Sequence, residues 1–377
     1  MEILVGGDLV PTQSNKNIFD NGEINSLLGD KLFSLWKNAD IRIFNLETPL
    51  VDKAEPIDKC GPNLISPTST IKGIKALSPS LITLANNHIL DQGIQGLRST
   101  ETLLKKNKIP YIGVGDDVNK SSEPYILKRD GISIGIYTCA ENEFTIATDK
   151  TPGANPFDPL ETPDHIEKLK LKCDYVIVLY HGGKEHYRYP SPYLQKACRK
   201  IAKKGADIVI CQHSHCVGSY EDFEGSTIVY GQGNFIFDRY ANEFWNSSLL
   251  IKLYIHNGIK IDYIPIVKKD SGVRLATGQM AKDILSEFQE RSKEILQDGF
   301  IEKKYQEFAN QNIQSYRRKF SGFGKWLTRI DVYLFKGTLA KLKYNKKQLL
   351  AIQNAIECEA HRELLLAGLK MKKTTKK

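Results

Sequence analysis

The stretch Leu84-Ala85-Asn86-Asn87-His88-Ile89-Leu90-Asp91-Gln92-Gly93 decides the fold. It follows Pro79-Ser80-Leu81-Ile82-Thr83, a short apolar run that reads as a buried strand. The polar cluster therefore begins where a strand stops and a helix, near 93–107, starts. In an open α/β sheet the carboxyl ends of the strands are where ligands collect. An amide oxygen can ligate a hard cation, and an imidazole can take or give a proton near neutral pH. Alone, the stretch reads equally well as a polar turn capped by His88. The rest of the chain decides.

The same grammar recurs on both sides. Glu2–Asp8 is an apolar run ending in two glycines and a carboxylate, and Asp40–Glu47 ends in Asn45 and Glu47. Asp174–His181 and Ala206–His215 are buried runs ending in histidines, and Ser226–Asp238 reads as one more such element, with Asn234 inside it. Helical periodicity at 22–38, 164–172 and 191–204 alternates with these runs, which predicts parallel strands with helices on the faces. Tyr125–Arg129 and Ile132–Cys139, split by Asp130-Gly131, form the clearest hairpin signal. Residues 247–268 alternate as two antiparallel strands joined at Asn257-Gly258, placed to close the sheet. The Pro-rich segment 52–70 reads as a loop near the same edge.

Composition bounds the answer. With 377 residues, 41% hydrophobic and 26% charged, the chain is of globular type, and no run approaches the ~20 apolar residues of a membrane span. The start, Met1-Glu2-Ile3-Leu4, reads as a first strand and lacks the pattern of a signal peptide. Seven cysteines without a CxxC pair suit reduced, buried thiols, hence a cytoplasmic setting. Strand signals stop near 275, which suggests a core of residues 1–270 and a helical extension of 271–377. That extension holds 22 Lys/Arg against 11 Asp/Glu, a net +11, whereas the whole chain carries +9. Helices are expected at 280–320 and 345–370, with a disordered end at 370–377. The stretch from Trp326 to Leu342 is aromatic, apolar and basic. It fits an interfacial helix at the inner face of a membrane or a helical cap packed on the core, and packing is the favoured reading. The scattered charges disfavour nucleic-acid binding.

Five strand ends thus offer metal-competent groups: Asp8, Asn45/Glu47, Asn87/His88, His181 and His213/His215. Carboxylate, carboxamide and imidazole without thiolate suit a divalent transition metal such as Mn, Fe or Zn. On a strand His213 and His215 would share a face, whereas on a turn they could straddle two ions.

These pieces, taken in order, resemble the CapA-type capsule (poly-γ-glutamate) synthesis proteins, a branch of the calcineurin-like metallophosphatase superfamily. The matching residues are Gly7-Asp8, Asn45-Leu46-Glu47, Asn86-Asn87-His88 with Asp91 and Gly93, His181-Gly182, His213-Ser214-His215 and Gly233-Asn234-Phe235. The resemblance ends near 268. It implies a four-layer α/β/β/α sandwich with a two-metal site. Glu47 would bridge the ions, Asp8 and His215 would hold the first, and Asn87, His181 and His213 the second. His88 would be the general acid, with Asp91 beside it. Asn45, His186, Arg188 and Asn234 are candidates for contacting an anionic polymer precursor or phosphoester. Two departures stand out: phosphatases carry Asp-x-His where this chain has Asp8-Leu9-Val10, and an aspartate where it has Glu47. The resemblance therefore implies either a metal-dependent hydrolase or transferase of phosphoester or γ-glutamyl/acyl chemistry, or an accessory subunit of a polymer-synthesis complex.

Overall fold

The computed structural model describes residues 1–239 and 242–371, so residues 372–377 of the expected disordered end lie outside the described residues. The strands are, in chain order, β1 (Glu2–Val10), β2 (Ile41–Leu46), β3 (Leu81–Thr83), β4 (Tyr111–Ile112), β5 (Val114–Gly115), β6 (Tyr125–Arg129), β7 (Ile132–Ala140) and β8 (Gly153–Ala154). They continue as β9 (Tyr175–His181), β10 (Ile208–Gln212), β11 (Tyr220–Phe223), β12 (Ser226–Val229), β13 (Asn234–Phe237), β14 (Ser247–Ile255), β15 (Ile259–Lys269) and β16 (Gly272–Leu275). One sheet has the order β16-β15-β14-β1-β2-β3-β4 with β13 also on β1, and the other runs β11-β12-β10-β9-β7-β6. β5 and β8 form a small separate ribbon.

The period-2 alternation of each strand builds the layers. Ile3, Val5, Ile41 and Ile43 of the first sheet meet Ile177, Leu179, Ile208 and Ile210 of the second in one buried cluster. The opposite faces carry helices. Leu4, Phe44 and Ile82 pack with Trp36, Leu97 and Leu104, whereas Val176, Val178 and Val209 pack with Ile166, Leu194 and Ile201. Two sheets face to face with helices outside make the four-layer α/β/β/α sandwich.

Strict alternation would put Asp8 on the outer face with Leu4. Between Val5 and Asp8 the register on β2 slips, so that Val5 pairs with Ile43 but Asp8 with Asn45. The extra residue, in the Gly6-Gly7 pair, is a bulge that re-aims Asp8 onto the face of Asn45. Gly7 is required there, because a Cβ would stand 2.0 Å from the carbonyl oxygen of Gly233.

Ser226–Asp238 is not one element. β12 pairs with β10 in the second sheet and β13 with β1 in the first, so the chain crosses between sheets at 230–233. Gly231 and Gly233, at φ +148° and +76°, make that crossing possible. The Asp130-Gly131 hairpin and the Asn257-Gly258 turn join β6 to β7 and β14 to β15 as antiparallel pairs.

The chain divides into two compact units, Met1–Glu302 and Lys303–Lys377. The division lies beyond residue 270 because β16 and the helix Gly278–Glu294 belong to the first unit. Phe288 of that helix is buried, with its ring 5.1 Å from Tyr220 and 4.9 Å from Tyr263. The second unit is helical throughout its described regular structure, including Lys325–Tyr333, Thr338–Leu342 and Lys346–Glu357.

Candidate metal centre

The strand ends bring their polar residues to one buried place. Ligand atoms of Glu47, His181 and His213 lie within 4.8 Å of one another, and so do those of Asp8, Glu47 and His215. Glu47 belongs to both groups. His181 continues the inward parity of Ile177 and Leu179, as Asn45 continues that of Ile43. His213 and His215 follow β10 on a turn, at φ +77° and +55°. That left-handed backbone costs on the order of 1–3 kcal/mol per non-glycine residue, and the two ring centroids lie 6.0 Å apart. The turn reading of this pair is the one realised.

The contacts converge on Nε2 of His181. It lies 3.1 Å from Asn87 Oδ1, 3.1 Å from His213 Nδ1 and 3.3 Å from Glu47 Oε1. Three acceptors around one ring nitrogen cannot all be served by a single N–H. Both Glu47 oxygens are buried and lack a hydrogen-bond partner, as does Nδ2 of Asn234. The ion pair with His181, 3.3 Å from Oε1, offsets part of the Glu47 charge, and a fully buried carboxylate without a hydrogen-bonded partner favours a further cation beside it. The residues present therefore fit a bound divalent metal.

Asp8 is anchored on each oxygen. Asn45 donates to Oδ1 at 2.8 Å and the His213 backbone N–H donates to Oδ2 at 3.2 Å. Burial works against its charge, but His181, His215 and Asn45 outweigh it and hold Asp8 below the usual carboxylate range. Burial likewise works against a charged His181, yet Asp8 and Glu47 raise it to about 10. Burial pushes His213 well below its ordinary value, and the neighbouring His181 adds to the effect. Without metal, the site thus keeps one proton on His181 and leaves His213 neutral.

His88 stands apart from this chemistry. Its Nδ1 is 2.5 Å from Asp91 Oδ2, and its backbone N–H donates to Asn86 Oδ1 at 3.1 Å. Nδ1 is committed to the carboxylate, so Nε2 is the nitrogen left for other work. Asp91 is fully buried against His88. Its Oδ2 also accepts from the Leu64 N–H at 2.5 Å, and its Oδ1 pairs with Lys59. Asn86 locks the turn to β2, donating to Asn45 Oδ1 and the Leu46 carbonyl.

Lys59 is the residue that sequence reasoning missed. Its side chain is 2% exposed, and its ammonium contacts Asp91, lies 3.2 Å from His88 Nδ1 and reaches the Asn87 carbonyl at 3.4 Å. A lone lysine in a Pro-rich loop carries no periodic or motif signal. We expect Lys59→Met to cost about 3–5 kcal/mol of stability, because it leaves the buried Asp91 carboxylate without its cation. Chemical denaturation of the two proteins measures this, and a midpoint shift equivalent to under about 1 kcal/mol would show the pair to be dispensable.

The four proposed substrate contacts fare differently. Asn45 is fully buried and donates to Asp8 at 2.8 Å. Asn234 pairs with Asp8 across the strands, and its Oδ1 is 2.8 Å from His215 Nδ1. His186 accepts from Trp245 Nε1 at 2.9 Å, with its ring 6.4 Å from that of His215. Arg188 donates to the Val217 carbonyl at 3.3 Å and lies 4.9 Å over the Phe244 ring. Val10, where a phosphatase ligand would stand, is buried with Leu64, Phe237 and Trp245.

The chain is thus a two-sheet α/β/β/α sandwich with carboxylates and imidazoles gathered at its strand ends. Residues 2–239 match the family described as bacterial capsule synthesis protein PGA_cap, and the chain belongs to that family. The capsule biosynthesis protein CapA of Bacillus anthracis is 27% identical over 257 residues, 66% of this chain and 62% of that protein. The PGA biosynthesis protein CapA of Bacillus subtilis is 28% identical over 215 residues, 54% of this chain and 57% of that protein. The chain thus spans about six-tenths of the length of these relatives. Among solved structures, a phosphatase from Mycoplasma pneumoniae covers 72% of this chain and 94% of its own at 16% identity and a TM-score of 0.43, a likeness too distant to carry argument.

Proposed function

We infer that the chain is a divalent-metal-dependent enzyme of bacterial surface-polymer synthesis, a hydrolase or transferase of phosphoester or γ-glutamyl/acyl bonds. The observation that carries this reading is Glu47, whose two buried oxygens lack hydrogen-bond partners and which belongs to both ligand groups. In this reading Asp8 and His215 would hold one ion and Asn87, His181 and His213 a second, with Glu47 available to both. When bound, such ions act as Lewis acids on the scissile group. His88 holds the proton that the leaving group takes, on the nitrogen that Asp91 leaves uncommitted. Asn234 and His186 are the candidates for orienting an anionic polymer precursor or phosphoester.

Metal-stripped protein titrated with Mn²⁺, Fe²⁺ or Zn²⁺ should bind up to two ions and release protons. The metal-free His181 keeps its proton up to about pH 10, and an imidazole must lose it to ligate. Affinity should therefore rise with pH through the neutral range. Calorimetry in two buffers of different ionisation enthalpy reads the proton count. Absence of uptake for all three metals would end this reading.

A second reading, an accessory subunit of a polymer-synthesis complex, is favoured by one observation. The apolar surroundings of Val10 remove a ligand that metallophosphatases carry, which weakens the first ion's site. Metal uptake without turnover on any phosphoester or γ-glutamyl substrate would select it.

A further inference from the structure

The second compact unit carries a surface that the family match, which ends at residue 239, does not touch. On the helix Lys325–Tyr333, Trp326, Ile330 and Tyr333 stand at i, i+4 and i+7 and share one face. Trp326 is 78% exposed and Tyr333 79%, and Leu334 just beyond is 74% exposed. Packing within their own unit leaves these side chains uncovered.

Charge tells what covers them. Residues 321–345 contain five cations, Lys325, Arg329, Lys336, Lys341 and Lys343, and one carboxylate, Asp331. Asp331 is fully buried, and its Oδ1 accepts from the Leu339 N–H at 2.9 Å. The exposed surface of this segment is therefore aromatic, aliphatic and positive, with no exposed anion. The Arg329 guanidinium lies 6.0 Å from the Trp326 ring, so cation and aromatic are interleaved. The core of a protein–protein interface is depleted in lysine, whereas Trp and Tyr mixed with Lys and Arg mark the boundary of a bilayer. No helix among the described residues is long and apolar enough to cross a membrane.

We propose that residues 325–343 dock the protein onto an anionic lipid bilayer, lying in its interface with Trp326, Tyr333 and Leu334 inserted and the cations at the headgroups. This stands apart from the chemistry of the metal centre, and its test needs no activity.

The full chain supplies its own probe. Of its three tryptophans, Trp36 and Trp245 are buried, so Trp326 is the indole that can report a change of surroundings. Vesicles of phosphatidylcholine mixed with phosphatidylglycerol should shift tryptophan emission to the blue and sediment the protein, and vesicles of phosphatidylcholine alone should do neither. Added salt should weaken the binding. Arg329→Glu and Lys336→Glu should each reduce it by at least about fivefold, the effect of one cation near a charged surface. The Trp326→Ala/Tyr333→Ala protein should bind at least about tenfold more weakly, given the apolar area withdrawn. Its melting temperature should stay unchanged, since both side chains are exposed. Failure to bind anionic vesicles, or equal binding to neutral ones, would overturn the proposal. So would a dimer in sedimentation velocity that Trp326→Ala/Tyr333→Ala dissolves without any vesicle binding. Capture of soluble polyglutamate in preference to vesicles would assign the surface to the polymer and overturn it as well.

Discussion

Glu47→Ala should leave the protein unable to hold a divalent metal under any loading condition. Glu47 is the one side chain shared by both ligand groups, and neither of its oxygens has a hydrogen-bond partner. Its removal therefore subtracts from two positions at once. His213→Ala should lose one group and keep Asp8, Glu47 and His215. Glu47→Gln separates charge from shape, since it keeps the volume and lowers the negative charge. Metal content by elemental analysis after reloading, with circular dichroism to confirm folding, decides the matter. A folded Glu47→Ala protein with the metal content of the parent would place the ions elsewhere.

His88→Ala should behave in the opposite way, keeping its metal and losing turnover by about 10²–10⁴-fold, the range for a general acid. The imidazole is hydrogen-bonded to Asp91, with the Lys59 ammonium 3.2 Å away, and not to the ligand atoms that converge on His181. Asn87, one residue earlier, points its amide oxygen at His181. Two adjacent side chains thus point to different partners. The comparison requires a measured turnover with a phosphoester or γ-glutamyl substrate, and it reads kcat and metal stoichiometry on the same preparations. An undiminished kcat in His88→Ala, or metal loss matching that of His213→Ala, would remove the acid assignment.

The parts of this site that were legible in the sequence are those written locally. A buried strand announces itself by its apolar run, and a polar residue at its end stands out against it, so Asp8, Glu47, Asn87, His181 and His213 could all be picked out singly. Asp130-Gly131 and Asn257-Gly258 named their hairpins because a tight turn demands those residues. What was not legible depends on partners far away in the chain. The bulge that turns Asp8 inward is visible only against β2, and the glycines at 231 and 233 read as part of one strand until two different sheets claim its halves. Lys59 is buried because Asp91 is there to receive it, across 32 positions of sequence. Helix Gly278–Glu294 looked like the start of the extension because strand periodicity had ended, whereas the burial of Phe288 ties it to the sandwich.

The centre draws on both halves of the sandwich. Asp8, Glu47 and Asn87 come from the ends of the first sheet, and His181, His213 and His215 from the second. Beyond any chemistry, an ion held between them would act as a rivet. The two sheets could not part at that edge without releasing it, so amide exchange in β9 and β10 would slow as the metal concentration rises. An ion that binds only the closed form adds RT ln(1 + [L]/Kd) to stability, about 2.7 kcal/mol at a hundredfold excess over Kd. The mechanical firmness of the fold would then track the metal supply around it, making the sandwich a gauge of its surroundings as well as a scaffold.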